Sequence, residues 1–203
     1  MTRQDWMQWH DAYDEPGSSL KDRLDVVRAW VGRALDEGAS RVVSMCAGQG
    51  RDLLPVLAAH PRRGQVRARL VELDERIAAT ARAAAPEGVE VVCGDASVTD
   101  AYAGAVPADL VLACGIFGNI TDDDIRRTAA TLPRLCAPGA MVIWTRGRHA
   151  PDLVPAICGW FEECGFERVA VEGEGTKYGI GVHRYAGPPV ALEPGTRMFT
   201  FVR

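Results

Sequence analysis

The sequence predicts an α/β fold, a mostly parallel sheet covered on both faces by helices. Three observations carry this expectation. From residue 41 to 145, strand-length apolar runs are separated by helix-patterned segments, and right-handed βαβ crossovers follow from that alternation. The first strand runs into a small-residue turn that opens a helix. The last third carries three strand-like pieces with no helix between them, which suggests antiparallel pairing at an edge or inside the sheet.

Leu20, Leu24, Val27, Val31, Ala34 and Leu35 recur at the three-to-four spacing of one helix face, with Ser18 or Ser19 as N-cap and Gly38 past the end. There follow a strand at 41–46, a helix from about 52 to 60, a strand at 66–73 and a helix at 75–85 stopped by Pro86. Strands are expected at 89–94 and 108–115, a helix at 121–136, a strand at 140–145, and a helix at 151–165 opening on Pro151 and closing at Gly165. The three late pieces are ERVAVEG, YGIGVHRY and RMFTFV, with GPPVALEPG as a loop.

At 203 residues, with 47% hydrophobic and 25% charged residues, the chain is expected to form one structural domain: residues 1–38 as an N-terminal cap segment and helix, and 39–203 as the main body. No run reaches the roughly 18 to 20 apolar residues of a membrane span, and the opening MTRQDWMQWHDAYDE is polar and acidic, so the expectation is a cytoplasmic chain without membrane partners. The six cysteines contain no CxxC pair and no zinc-ligand spacing; they read as reduced, mostly buried small hydrophobes, and no metal is expected. A net charge of −4 gives no field to gather phosphates, and Arg62, Arg63, Arg67 and Arg69 form only a local cluster, so nucleic acid is not the expected partner. Oligomeric state is not legible.

The chemistry is concentrated in VVSMCAGQGRDLL (42–54). Gly48 and Gly50 permit unusual dihedrals and expose amides at a helix start, where an anionic group is favoured. The third glycine of G-x-G-x-x-G would fall at Leu53, which disfavours a pyrophosphate turn. Glu72 ends the next strand 22 residues after Gly50, where a carboxylate can accept both hydrogens of a ribose diol.

In this order the motifs resemble the class I S-adenosylmethionine-dependent methyltransferase family, from about residue 40 to 146. The resemblance implies a Rossmann-like three-layer sandwich whose seven-stranded sheet has the order 3-2-1-4-5-7-6 with strand 7 antiparallel, preceded here by the N-terminal helical extension. RMFTFV is the expected strand 7, and YGIGVHRY an added strand or flap. The resemblance places S-adenosylmethionine, and S-adenosylhomocysteine as product, against Ala47, Gly48, Gln49 and Gly50 of the turn. Glu72 matches the ribose-binding acid, with Asp74 as the substitute, and Leu73 lies beside the adenine. Gly94, Asp95 and Ala96 match the turn that contacts the adenine amino group; Cys114, Gly115 and Ile116 match the end of strand 4 under the cofactor. The chain departs from the family at the end of strand 1, where its acid falls on Ser44 and its first glycine on Cys46.

Transfer of a methyl from the sulfonium to a small-molecule acceptor needs in-line positioning and a way for an acceptor proton to leave. A histidine base suits a hydroxyl acceptor. His149, after strand 5 in TRGRHAPD, and His10, in the aromatic stretch Trp6, Trp9, Tyr13, are the candidates, with Asn119 after strand 4 as the polar residue expected near the methyl. The aromatics either pack on the acceptor and the sulfonium or fix the extension to the domain. His183 alternates with apolar positions as a sheet residue would, and His60 stands apart. Arg146 and Arg148 could bind an acidic acceptor, with surface exposure as the default for both. Two other readings stay open: a nicotinamide-dependent oxidoreductase on the same sheet, and a protein that binds S-adenosylmethionine without catalysis.

Overall fold

The computed structural model describes residues 18–202. Helix α1 (Ser19–Asp36) starts where Ser18 caps it by accepting the Leu20 amide, and its apolar stripe is buried at Leu24, Val27, Val31, Ala34 and Leu35. There follow β1 (Arg41–Met45), α2 (Leu54–Ala59), β2 (Arg67–Glu72), α3 (Glu75–Ala84), β3 (Val89–Cys93), β4 (Ala108–Ala113), α4 (Asp122–Thr131), β5 (Cys136–Gly147), α5 (Val154–Glu163), β6 (Phe166–Glu172) and β7 (Tyr178–Tyr185).

The strands form one sheet in the order β3-β2-β1-β4-β5-β7-β6. The first five are parallel to their neighbours, and β7 runs antiparallel to both β5 and β6. Each central strand is apolar on both sides, as a sheet sandwiched between helices requires. Val43, Val111, Val142 and Trp144 face a core shared with Ile125 and Ala129 of α4 and Ile157 and Phe161 of α5. Val42, Leu110, Leu112, Met141 and Ile143 face the other core, with Val31 of α1, Leu57 of α2 and Ala78 of α3.

Four sequence expectations are corrected. Strand 7 is YGIGVHRY, not RMFTFV. The latter follows the surface in extended form with a single bridge, Val98 to Arg197, because its backbone binds loops: the Met198 amide donates to the Ser97 carbonyl and the Val202 amide to that of Asn119. Helix α4 stops at Thr131 and passes into a 3₁₀ turn at Leu132–Arg134, since Pro133 has no N–H to extend the ladder. Pro151 lies before α5 rather than in it; Asp152 accepts the Val154 amide and Pro155 occupies the first turn. Of the six cysteines, all free, only Cys136 and Cys158 are buried, and Cys93 is exposed.

Two glycines explain how β7 fits beside β5. Gly181 pairs with Trp144, and the indole lies on it so closely that a Cβ there would come within 2.1 Å of Trp144 Cε2 and Cζ2. At Gly179 a Cβ would meet Val154 Cγ2 at 2.5 Å. The indole Nε1 donates to His183 Nδ1 at 3.2 Å, which puts the imidazole proton on Nε2, an atom buried with no hydrogen-bond partner. Burial, helped by the Arg168 charge, pushes the His183 pKa down to about 4.

Gly181→Ala should lower stability by about 3 kcal/mol in urea unfolding, the upper range for overpacking a filled core; a loss within error would show that Trp144 can turn aside. His183 also sets a pH dependence. The folded state keeps it neutral to about pH 4, whereas the unfolded chain takes up a proton near pH 6.5, so stability drains away as pH falls through that window. Between pH 7 and pH 5 the wild-type chain should lose about 2 kcal/mol more than His183→Gln. Equal losses would mean that the folded protein protonates this ring.

Candidate functional site

The parallel strands β1, β2, β3 and β4 bring their carboxyl ends to one edge. After β1, Cys46, Gly48 and Gly50 take φ values of 49°, 56° and 70°. This is the left-handed region, open to glycine and strained for the half-buried cysteine. The Ala47 amide donates to the Val71 carbonyl, the Gly50 amide to that of Ala47, and the Leu54 amide to that of Gly50. A Cβ on Gly50 would meet Leu54 Cδ1 at 2.7 Å and Leu70 Cδ2 at 2.9 Å, so the turn is pressed onto the sheet.

Glu72 is held against this turn. Its Oε2 accepts the Gly48 amide at 2.9 Å and its Oε1 the Asp74 amide at 3.0 Å. Two backbone donors fix the carboxylate and leave lone pairs for a diol. Asp74 itself is spent as the cap of α3 and on Arg76, which holds its carboxyl down at about 2. Leu73, 67% exposed, presents an apolar face beside the acid. Gln49 is turned toward Arg51, whose Nε donates to Oε1 at 2.9 Å.

After β3, Gly94 passes its amide to the Glu72 carbonyl. Asp95 Oδ1 accepts the amide and hydroxyl of Ser97 at 2.9 and 2.6 Å, and Arg197 reaches Oδ2 at 3.0 Å. Burial raises the Asp95 pKa, but the Ser97 and Arg197 hydrogen bonds outweigh it and hold the carboxyl below its ordinary range. Ala96 is buried, its carbonyl accepting the Tyr102 hydroxyl at 2.7 Å.

After β4, Cys114 and Gly115 are half-buried and Ile116 is buried. Burial and the nearby Asp52 charge push the Cys114 thiol well up, so it is neutral. The Gly115 amide donates to Thr145 Oγ1 at 2.9 Å, and Asn119 Nδ2 to the Gly115 carbonyl at 2.8 Å. The Asn119 amide thus braces the turn from inside, with its oxygen left over. Arg146 donates to the Phe117 carbonyl, and Arg148 pairs with Asp152 and reaches the Tyr178 carbonyl at 3.2 Å; both are half-buried rather than surface arginines.

His149 is exposed on the segment after β5, its ring against Gly147. His10, with Trp6, Trp9 and Tyr13, lies outside the described residues. His60 binds Asp36 at 3.1 Å, and His183 belongs to the core. Among the described residues no helix is long and apolar enough to cross a membrane.

Asp52 looks in sequence like any acid before a helix. It sits between the glycine turn and α2, half-buried, and its Oδ1 is shielded from solvent with no hydrogen-bond partner. Burial drives its pKa up to about 6 against the pull of the Asp52 and Leu53 amides and of Arg23 and Arg28 on α1.

No protein family model and no curated protein matches this sequence. Solved structures do match its fold. A Burkholderia thailandensis 1,6-didemethyltoxoflavin-N1-methyltransferase, with 1,6-didemethyltoxoflavin and S-adenosylhomocysteine bound, superposes with a TM-score of 0.68 at 16% identity, over 90% of this chain and 84% of that one. The S-adenosylmethionine-bound amino pentose methyltransferase of Micromonospora echinaspora gives 0.62 at 18% identity, over 91% and 98%. An O-methyltransferase family protein of Burkholderia thailandensis gives 0.65 at 18% identity over 82% of this chain, which spans 56% of that protein. The seven-stranded sheet of this chain, with its antiparallel β7, is therefore the Rossmann-like methyltransferase fold.

Proposed function

We propose that the chain binds S-adenosylmethionine across the carboxyl ends of β1 to β4 and transfers its methyl group to a small-molecule acceptor. The observation that carries this reading is Glu72, a strand-end carboxylate tethered to the Gly48 amide with acceptor capacity to spare. The surroundings fit the same ligand. Leu73 offers an apolar face to a base, the Asp95 turn offers a carboxylate to its amino group, and the turn at Gly48 and Gly50 lets a chain of atoms lie against backbone. Proteins of like fold hold S-adenosylmethionine or its demethylated product.

When bound, the sulfonium supplies an activated methyl, so the protein's part is positioning. Glu72 and the Asp95 turn fix the nucleoside; Gly115 and Ile116 support it from below. The acceptor then lies toward Asn119 and the segment after β5, where the exposed His149 is the base for a hydroxyl proton and Asn119 Oδ1 an acceptor for orientation. Six free cysteines suit a reducing compartment, and we assign the chain to the cytoplasm. A nicotinamide dinucleotide fits less well, because the third glycine of its turn is replaced by Leu53, fully buried.

Isothermal titration with S-adenosylhomocysteine, run beside NAD and NADP, tests the reading. Micromolar affinity for S-adenosylhomocysteine alone is expected, and Glu72→Ala should weaken it about ten-fold or more, the worth of a charge-assisted hydrogen bond. Affinity for a nicotinamide nucleotide instead, or for none of the three, would overturn it.

A further inference from the structure

An ionised carboxylate offers about four acceptor positions, and the protein itself takes three of those on Asp95. Oδ1 accepts both the amide and the hydroxyl of Ser97, at 2.9 and 2.6 Å. Oδ2 accepts Arg197 Nη1 at 3.0 Å, which leaves one position, on that same oxygen. The Asp95 side chain is 47% exposed, so the remaining position is within reach of a ligand.

Where that position points depends on Arg197. The Ser97 bonds hold one oxygen, but the terminal torsion of an aspartate is soft, and the plane can still swing until the second oxygen is held. Arg197 closes the frame, because its Nη1 also donates to Ser97 Oγ at 2.5 Å and Ser97 Oγ donates to Asp95 Oδ1. Guanidinium, hydroxyl and carboxylate thus form one ring of hydrogen bonds.

The guanidinium starts from an anchored backbone. Arg197 bridges to Val98, the Met198 amide donates to the Ser97 carbonyl at 2.8 Å, and the Thr99 amide donates to the Thr196 carbonyl at 3.0 Å. The Thr196 amide donates to Thr99 Oγ1 at 3.1 Å, and Met198 and Phe199 are fully buried next in the chain. The ion pair itself is half-exposed, with Arg197 at 53%, and a pair of that kind adds little to stability. Its larger consequence is orientation.

We propose that Arg197 is a positioning residue for recognition of the adenine amino group, fixing the plane of Asp95 so that the remaining acceptor position on Oδ2 meets an amino N–H. The inference rests on the reading of the site as one for S-adenosylmethionine. It makes a residue of the C-terminal segment, outside every strand-end turn, a determinant of base specificity that acts through Asp95. A base with an amino group satisfies the oriented oxygen, one without leaves it unused, and an oxo group sets oxygen against oxygen.

Wild type, Arg197→Met, Asp95→Ala and the double variant are titrated with S-adenosylhomocysteine and with its analogue carrying hydrogen in place of the adenine amino group. Arg197→Met keeps an apolar stem and removes the charge and the donors. Wild type should prefer S-adenosylhomocysteine about ten-fold. Arg197→Met should weaken S-adenosylhomocysteine about five-fold and leave the analogue within about two-fold of wild type, which also shows that the variant is folded. In the Asp95→Ala background Arg197→Met should change nothing further, as expected of two residues that act as one unit. Unchanged or tighter binding of S-adenosylhomocysteine by Arg197→Met, equal losses for both ligands, or the same loss in the Asp95→Ala background overturns the role of Arg197. A wild type that binds both ligands equally overturns this inference and leaves the cofactor reading standing, whereas failure to bind either overturns both.

Discussion

Gly50 has no room for a side chain, and the edge of the sheet that carries the site is organised around that fact. With Leu54 and Leu70 both inside 3 Å of where its Cβ would be, the backbone between β1 and α2 lies as close to the sheet as backbone can. The close approach turns the Gly48 amide toward Glu72, and Glu72 in turn holds the Asp74 amide at the head of α3. One steric constraint thus links two crossovers. It also explains why the turn tolerates Cys46 in a left-handed conformation, since the hydrogen bond from Ala47 to Val71 locks the chain one residue later.

The parts of this arrangement that a sequence can reveal are those set by short spacing. Gly48, Gly50 and Glu72 belong to consecutive elements of a βαβ unit, and parallel register brings strand ends to one edge whatever the tertiary detail. The Gly94-Asp95-Ala96 turn was legible for the same reason. Asp52 was not, because it resembles any acid at a helix start; only the surrounding atoms show that its oxygen is left without a partner. The difference at strand 7 has a physical ground of a similar kind. RMFTFV is rich in the aromatic and β-branched residues that favour strands, whereas YGIGVHRY carries two glycines that weaken its strand character in isolation. Those glycines answer to Trp144 and Val154, residues on other elements, and no local pattern announces them.

The core beside β7 shows how the molecule treats polarity away from the site. Trp144, Phe161 and His183 stack at centroid separations of 4.9 to 6.0 Å, and the imidazole is used as an aromatic that can accept one hydrogen bond. Tyr102 does likewise with its hydroxyl on the Ala96 carbonyl. Buried polar atoms of this kind fix orientation: the first sets the indole across Gly181, and the second pins the turn that carries Asp95.

The extended segment at 193–202 divides the site into two halves with different support. Thr99 bonds the Glu193 carbonyl, Arg197 bonds Asp95 across 102 positions of sequence, Thr200 bonds Asp124, and Val202 bonds Asn119. The loops after β3 and β4 are therefore joined by contacts of long sequence separation, which carry a larger closure entropy than those of the glycine turn. The glycine turn and Glu72 rest on contacts within the first βαβ unit, whereas the wall around Asp95 and Asn119 depends on the segment at 193–202. Loosening of that segment alone would leave one half of the pocket standing and release the other.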